Sequence, residues 1–406
     1  MNIDTSKMHL SRINLRACAN ALLGSLESFF QVPRPRSYPG NLDIVLTKAC
    51  NLRCKFCISY GSSKDQHWMN FALYEQIARR LFPCAHTVYF CSGGEPMLYP
   101  WLREALKLTK QYRTITYMLS NGTLLDRHTA RWLVQDQSLH ELRISFDGAR
   151  KKTLESIRVG ANFESILVNL EYLTALKRER GLTYPRLSFH YVVMRSNLEE
   201  LPEIFKICAQ RGLYRVKVSY LKIANDIDPQ ESLFHHRDLT AQVFTEARTR
   251  ARDFTIQLDL PPLIGQDNGL HRCLRPWEFC QIDPDGAIRF CYNSWRQRLG
   301  YFSEDFEAIW RGEHYQELRR TLSSPKPYFP YCRYCSTRLG LNHESSHNQS
   351  LHAESYVIPG LEHLQVPFNL RFEENYRSFL ELKVVRKLKT VPSSPKEVPS
   401  SQREKG

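Results

Sequence analysis

The sequence predicts an α/β fold built on a parallel sheet, and two observations carry that expectation. Between residues 41 and 225, short apolar runs alternate with longer stretches of helical period, the pattern left by right-handed strand–helix–strand crossovers. The chemically unusual residues fall just past the apolar runs, where parallel strands end and such folds place their sites. On pattern alone, a partial barrel and a doubly wound sheet fit equally well.

The elements follow in order. Residues 1–40 carry Ile13, Leu15, Leu22, Leu23, Leu26, Phe29 and Phe30, interrupted by Arg12, Arg16, Asn20 and Glu27. That pattern predicts an amphipathic helix packed on the main domain. Strands are expected at 43–47, 87–91, 114–119, 141–146, 186–194 and 214–221, and helices at 71–81, 101–111, 126–135, 163–180 and 198–211. Past the first strand come Cys50, Cys54 and Cys57, and past the second Ser92-Gly93-Gly94-Glu95-Pro96. The third is followed by Ser120-Asn121-Gly122, the fourth by Asp147-Gly148 and the fifth by Arg195-Ser196-Asn197. Residues 41–235 thus form a core, and 236–272 connect it to a second cysteine-bearing part at 273–345. A C-terminal extension, 346–390, precedes a Pro/Ser-rich tail at 391–406 whose composition predicts disorder.

The run Cys50-Asn51-Leu52-Arg53-Cys54-Lys55-Phe56-Cys57 spaces its thiols by three residues and then two, so three sulfurs can converge on one cluster or metal. An iron–sulfur cluster normally takes four cysteines, and structural zinc is closed by four ligands. Three ligands leave a position open, which hints at catalysis. A structural zinc knuckle would need a fourth ligand, for which His67 is the nearby choice.

With its aromatic residue before the last cysteine, the run resembles the Cys-x3-Cys-x-aromatic-Cys signature of the radical S-adenosylmethionine (radical SAM) enzymes. The resemblance covers roughly residues 40–225 and tips the fold towards that family's partial (β/α)6 TIM-like barrel. It implies that Cys50, Cys54 and Cys57 hold a 4Fe–4S cluster by three irons, the fourth chelating the amino and carboxylate groups of SAM. Phe56 belongs to the same SAM-binding signature. Gly93, Gly94 and Glu95 match a Gly-Gly-Glu-Pro segment that bonds the SAM amino group. Ser120 and Asn121 would meet its ribose or carboxylate, Ser145 lines the next strand end, and Arg195 would assist at the carboxylate or ribose. Read without the resemblance, Asn121-Gly122 and Asp147-Gly148 are ordinary turn formers. Such enzymes take electrons from outside, so a flavodoxin- or ferredoxin-like partner is implied.

A second set comprises Cys273, Cys280, Cys291, Cys332 and Cys335. Residues 277–291 read as a hairpin turning at Pro284-Asp285-Gly286, with a helix at 304–322 and a Cys332-Arg333-Tyr334-Cys335 knuckle behind it. This part resembles the SPASM or "twitch" extension of radical SAM enzymes, a small hairpin–helix domain carrying auxiliary clusters. Full SPASM domains hold two clusters and need a further Cys-x2-Cys-x5-Cys run, absent here, so the shorter one-cluster form is implied. Its 4Fe–4S cluster is expected on Cys273, Cys291, Cys332 and Cys335, though four cysteines also suit zinc. Cys280, Cys18, Cys84, Cys91 and Cys208 read as packing residues.

Composition is that of a globular protein, 42% hydrophobic and 12% aromatic. Twelve cysteines, with Cys54/Cys57 and Cys332/Cys335 in Cys-x2-Cys patterns and no secretory signal, point to metal ligation in a reducing, cytoplasmic setting. No apolar run approaches the length of a membrane span. The net charge of +14 is partly the tail; the rest would favour an anionic substrate, and no motif for specific nucleic-acid binding accompanies it. By resemblance, the chain is an oxidoreductase that cleaves SAM reductively and removes a substrate hydrogen atom, the auxiliary cluster accepting an electron as in a dehydrogenase. A small molecule or carbohydrate is the expected substrate, because residues 1–40 are too short for the precursor-recognition domain that peptide-modifying members often carry. A maturase acting on a ribosomally made peptide is the alternative. A non-catalytic structural zinc or iron–sulfur protein is the reading from another class. Asp147, His190, Tyr220, Lys222 and Arg195 lie near strands of the core without any one standing out as the general base.

Overall fold

A computed structural model describes residues 14–57, 68–223, 227–266, 273–292, 297–303, 305–324, 327–329, 332 and 335. All of them lie in one compact unit, Met1–Val366. His67 and the expected segments 346–390 and 391–406 fall outside the described residues.

Helix α1 (Leu15–Phe29) precedes strand β1 (Asn41–Ile44) and the short β2 (Arg53–Cys54). Alternation then sets in with α2 (Phe71–Leu81), β3 (Thr87–Phe90), α3 (Leu102–Gln111), β4 (Ile115–Ser120), α4 (Arg127–Asp136) and β5 (Glu141–Ser145). It continues through α5 (Lys151–Ile157), β6 (Arg158–Val159), α6 (Phe163–Glu179), β7 (Arg186–Val193), α7 (Ile204–Gln210) and β8 (Arg215–Tyr220). Helix α8 (Arg237–Asp253) and strand β9 (Gln257–Asp259) follow. The last described elements are α9 (Arg275–Glu278), β10 (Phe279–Ile282), β11 (Ile288–Arg289), α10 (Phe306–Trp310) and α11 (Glu313–Thr321).

Nine strands make one sheet in the order β11-β10-β1-β3-β4-β5-β7-β8-β9, every neighbouring pair parallel except β10 with β11. The fold is the expected partial barrel, and its curvature shows in the electrostatics. Cys91, just past β3, feels the charge of Lys217 on β8, four strands away. In a flat sheet that separation would be about 19 Å, too far for an appreciable effect.

Strand alternation sorts the side chains between two faces. Leu42, Ile44, Val88, Phe90, Met118, Leu142, Ile144, Phe189, Val216 and Val218 are buried in one hydrophobic core under the helices. The alternate residues Asp43, Tyr89, Tyr117, Arg143, His190 and Lys217 therefore face the hollow of the barrel. Cys280 and Ile282 of β10 and Trp310, Tyr315 and Leu318 of the last helices belong to the same core. The hairpin part is thus fused to the barrel, and β10 runs parallel to β1 as an extra strand. Segment 236–272, expected only to connect, supplies α8 and the edge strand β9.

Three local expectations are corrected. The helix at 198–211 is a 3-10 turn, Leu198–Glu203, followed by α7, because Pro202 lacks an N–H and its ring crowds the preceding turn. The helix at 304–322 divides into α10 and α11 at Gly312, where a Cβ would overlap the Ala308 carbonyl. Helix α1 turns its apolar stripe outward: Leu15, Leu22, Leu26 and Phe29 are 80%, 66%, 50% and 68% exposed. Polar side chains hold it instead. Asn20 donates to the Tyr38 and Cys84 carbonyls, and buried Glu27 accepts from the Arg36 and Ser37 amides. No helix among the described residues is long and apolar enough to cross a membrane.

Candidate functional site

The cysteine loop leaves β1 at the C-terminal end of the barrel and is pinned from two sides. Beneath it, the Gly94 amide donates to Thr47 O and the Glu95 amide to Ala49 O, both at 2.8 Å. This approach explains both glycines. Gly93 has φ of +87°, and a Cβ on Gly94 would overlap the Ala49 carbonyl. On the other side, β2 pairs antiparallel with β6, setting Cys54 opposite Arg158.

Glu95 is buried and organises one half of the site. Its carboxylate accepts from Ser120 Oγ at 2.8 Å, the Asn121 amide at 2.7 Å and the Met97 amide at 3.1 Å. Burial raises its pKa, and those three donors oppose the rise. Asn121 donates in turn to Asn51 Oδ1 at 2.9 Å and its side chain hydrogen-bonds Cys50. Glu95, Ser120 and Asn121 therefore form one network under the first cysteine.

The other half centres on Arg158, which carries no signal in the sequence. Its guanidinium stands 2.6 Å from Asp147 Oδ2, 3.7 Å from Cys54 Sγ and 5.4 Å from the centre of the Phe56 ring. Nothing in Ser156-Ile157-Arg158-Val159 advertises this; only the β2–β6 pairing brings Arg158 to the loop. Asn51, inside the cysteine run, is silent for the same reason. Asp147 is fully buried, its other oxygen accepting from the Val192 amide at 2.7 Å. Burial raises its pKa and Arg158 pulls it back, so Asp147 fixes the loop. Phe56 packs beside Ile157, Met194, Leu221 and Ile223, a small apolar cluster at the strand ends.

The donor set suits an iron–sulfur cluster. Burial raises the Cys50 thiol and pushes Cys54 up to about 11, whereas a ligand must be a thiolate. The groups that favour the thiolate are in place: the Leu52 amide and Asn121 at Cys50, and Arg158 at Cys54. Among the described residues, no three His, Cys, Asp or Glu side chains are grouped tightly enough for a single ion.

In the second cysteine set, Cys291 and Cys335 lie near Cys273. Burial pushes Cys273 up to about 12, with Cys291 and Cys335 close enough to raise it further. Cys291 and Cys332 are buried in the shared core, and Phe290 stacks on Phe329 with ring centres 4.6 Å apart, joining the hairpin end to the segment before Cys332. Cys280 is a fully buried core residue. Cys18 is exposed, so it is not a packing residue, and half-buried Cys91 faces the hollow between Asp43, Arg143 and Lys217. The two sites are linked: Asp283 at the hairpin turn pairs with Lys48, two residues before Cys50, at 3.3 Å and with Arg289 at 2.7 Å.

Other candidates stand apart. Arg195 pairs with Glu199 at 3.0 Å on an exposed turn. Tyr220 donates to Pro262 O at 3.1 Å. His190 lies 3.0 Å from Ser219 Oγ, and burial lowers its pKa to about 3. Ser145 sits in register with His190 on the inward face.

Comparison with known proteins agrees with this geometry. Residues 44–208 match the radical SAM superfamily and residues 273–336 match the SPASM iron–sulfur cluster-binding domain. The chain belongs to the radical SAM superfamily and carries a C-terminal SPASM domain; its cofactors are 4Fe–4S clusters and SAM. Similar proteins include a cofactor-modifying protein for tungsten-containing aldehyde ferredoxin oxidoreductase from Pyrococcus furiosus, 25% identical over 44% of this chain and 51% of that one. The Fe-coproporphyrin III synthase of Methanosarcina barkeri is 25% identical over 44% of this chain and 43% of its own length. This chain thus spans about half the length of those two relatives. The mycofactocin maturase MftC of Mycolicibacterium smegmatis is 24% identical over 69% of this chain and 72% of its own. In fold, the chain resembles Streptococcus suis SuiB bound to precursor peptide SuiA, with a TM-score of 0.60, 16% identity and coverage of 75% and 71%.

Proposed function

We propose that the protein is an oxidoreductase that removes a hydrogen atom from a substrate C–H bond and completes a two-electron oxidation. The observation that carries this is the convergence on one cysteine loop of the Glu95–Ser120–Asn121 network and the Arg158–Asp147 pair. When bound, the first cluster with SAM supplies a 5′-deoxyadenosyl radical, and the second supplies an electron acceptor. Cys50, Cys54 and Cys57 hold the first cluster; Cys273, Cys291, Cys332 and Cys335 hold the second. Glu95, with three acceptor sites used of about four, keeps one for the SAM amino group, beside the backbone of Gly93 and Gly94. The apolar cluster around Phe56 offers a dry face to the adenine. Ser145 opens onto the hollow where substrate would lie, and Arg195 would reach the site only by leaving Glu199. A flavodoxin- or ferredoxin-like donor supplies the electron.

The test is the triple variant Cys50→Ala/Cys54→Ala/Cys57→Ala. It should form no 5′-deoxyadenosine from SAM and dithionite yet keep roughly half the iron, since each cluster has its own cysteines. Production of 5′-deoxyadenosine by this variant would reject the assignment. Action on a ribosomally made peptide is the second reading. It is favoured by the match to a PqqA peptide cyclase of Gluconobacter oxydans, 21% identical over 71% of that protein's length.

A further inference from the structure

The hollow of the barrel holds a cation that the chemistry above leaves unused. Lys217 alternates with Val216 and Val218, both buried under the helices, so its side chain enters the hollow, where it is reached by solvent. Strand register places it level with His190 and, through His190, with Ser145 at the SAM end of the barrel. Among the described residues it makes no hydrogen bond or ion pair. Its cationic neighbours are spoken for: Arg143 is held by Glu141 at 2.6 Å, and Arg215 Nε by Asp259 at 2.6 Å. The surrounding protein lowers the Lys217 pKa, and the charges of Arg143 and Arg215 lower it further; Asp259, its register neighbour on β9, pulls the other way but is already engaged by Arg215. His190 adds no negative charge, and the Cys91 thiol, raised to about 12 by burial, stays neutral.

A lysine set among like charges in a partly enclosed hollow, its nearest carboxylate bonded to Arg215 and not to it, is relieved by an anion from outside. We infer that Lys217 binds an anionic group of the substrate, a carboxylate or a phosphate, and so fixes which part of the substrate faces the SAM end. The inference rests on the hollow being the substrate chamber of the proposed enzyme. It fits a phosphorylated or carboxylated small molecule and equally an acidic side chain or C-terminus of a short peptide.

The experiment measures binding without turnover. Full-length protein, reconstituted with iron and sulfide and saturated with SAM so that the cluster end is filled, is titrated calorimetrically with inorganic phosphate and, separately, with succinate. One of the two should bind saturably at a single site. Lys217→Gln should weaken that binding by about tenfold or more, the size of a lost charge-assisted hydrogen bond, and Lys217→Arg should retain it. Circular dichroism on both variants confirms that they fold; should Lys217→Gln not fold, Lys217→Met carries the same expectation. Absence of saturable binding of either anion, or equal affinity in the Gln or Met variant, overturns the inference. If the wild-type protein binds an anion through Lys217 but fails to cleave SAM, the proposed function falls while the anion site stands.

Discussion

At the scale of single residues, Arg158 carries most of the local electrostatics of the site. It is 8% exposed in its side chain and compensates Asp147, which is wholly buried, while touching Cys54 and Phe56. Removing one partner of a buried pair strands the other charge, at a cost of about 3–5 kcal/mol. Arg158→Met should therefore lose stability on that order in urea unfolding. The double variant Arg158→Met/Asp147→Asn should recover much of the loss, since the side-chain carbonyl put in place of the Asp147 carboxylate could still accept from the Val192 amide. Equal stability of the single and double variants would show that the ion pair does not hold the loop.

At the scale of elements, the critical joint is the crossing of the cysteine loop over the Gly93-Gly94 turn. Two backbone hydrogen bonds fix it, and a single methyl group on Gly94 would collide with main chain that has no free direction to move. Gly94→Ala should cost on the order of 1–3 kcal/mol as an overpacked site and displace the loop, so that 5′-deoxyadenosine formation falls with it. Gly24→Ala is the control, because a Cβ there meets only Ser37 at ordinary contact. A Gly94→Ala protein that cleaves SAM like the wild type would mean that the loop does not depend on this crossing.

At the scale of the whole molecule, the barrel and the hairpin share one core, and Asp43 lies where they join. Its carboxyl accepts from the Cys91 amide at 3.2 Å and from the Ser92 side chain. Burial, with Asp283 nearby, raises its pKa from 3.8 to about 7. A raised carboxyl favours the folded state only while protonated, so its contribution is whole below about pH 4 and is lost as pH rises through about 7. Asp43→Asn should abolish that part of the pH dependence. The stability difference between variant and wild type should therefore grow in the variant's favour from pH 4 to pH 7, read from urea midpoints. A constant difference across that range would show that Asp43 keeps an ordinary pKa in the fold.

The sequence by itself determined the chemistry that depends on spacing. Three thiols separated by three and two residues, and two glycines before a Glu-Pro, were legible because a short loop carries its own geometry. The alternation of strands and helices likewise gave the parallel sheet, since each period follows from local burial. Tertiary structure decided what depends on distant segments meeting. Arg158 reaches Cys54 only through the β2–β6 pair, and β10 joins β1 across more than two hundred residues. The outward apolar face of α1 was decided the same way: periodicity shows that a stripe exists, whereas Asn20 and Glu27 bonding to remote backbone determine which side faces the protein. Lys217 is an alternate residue on an ordinary strand; the pairing of β7 with β8 sets it beside His190, and the curvature of the sheet brings it near Cys91. Local patterns set which groups are present, but the field each one feels is summed over neighbours that only the folded chain brings close.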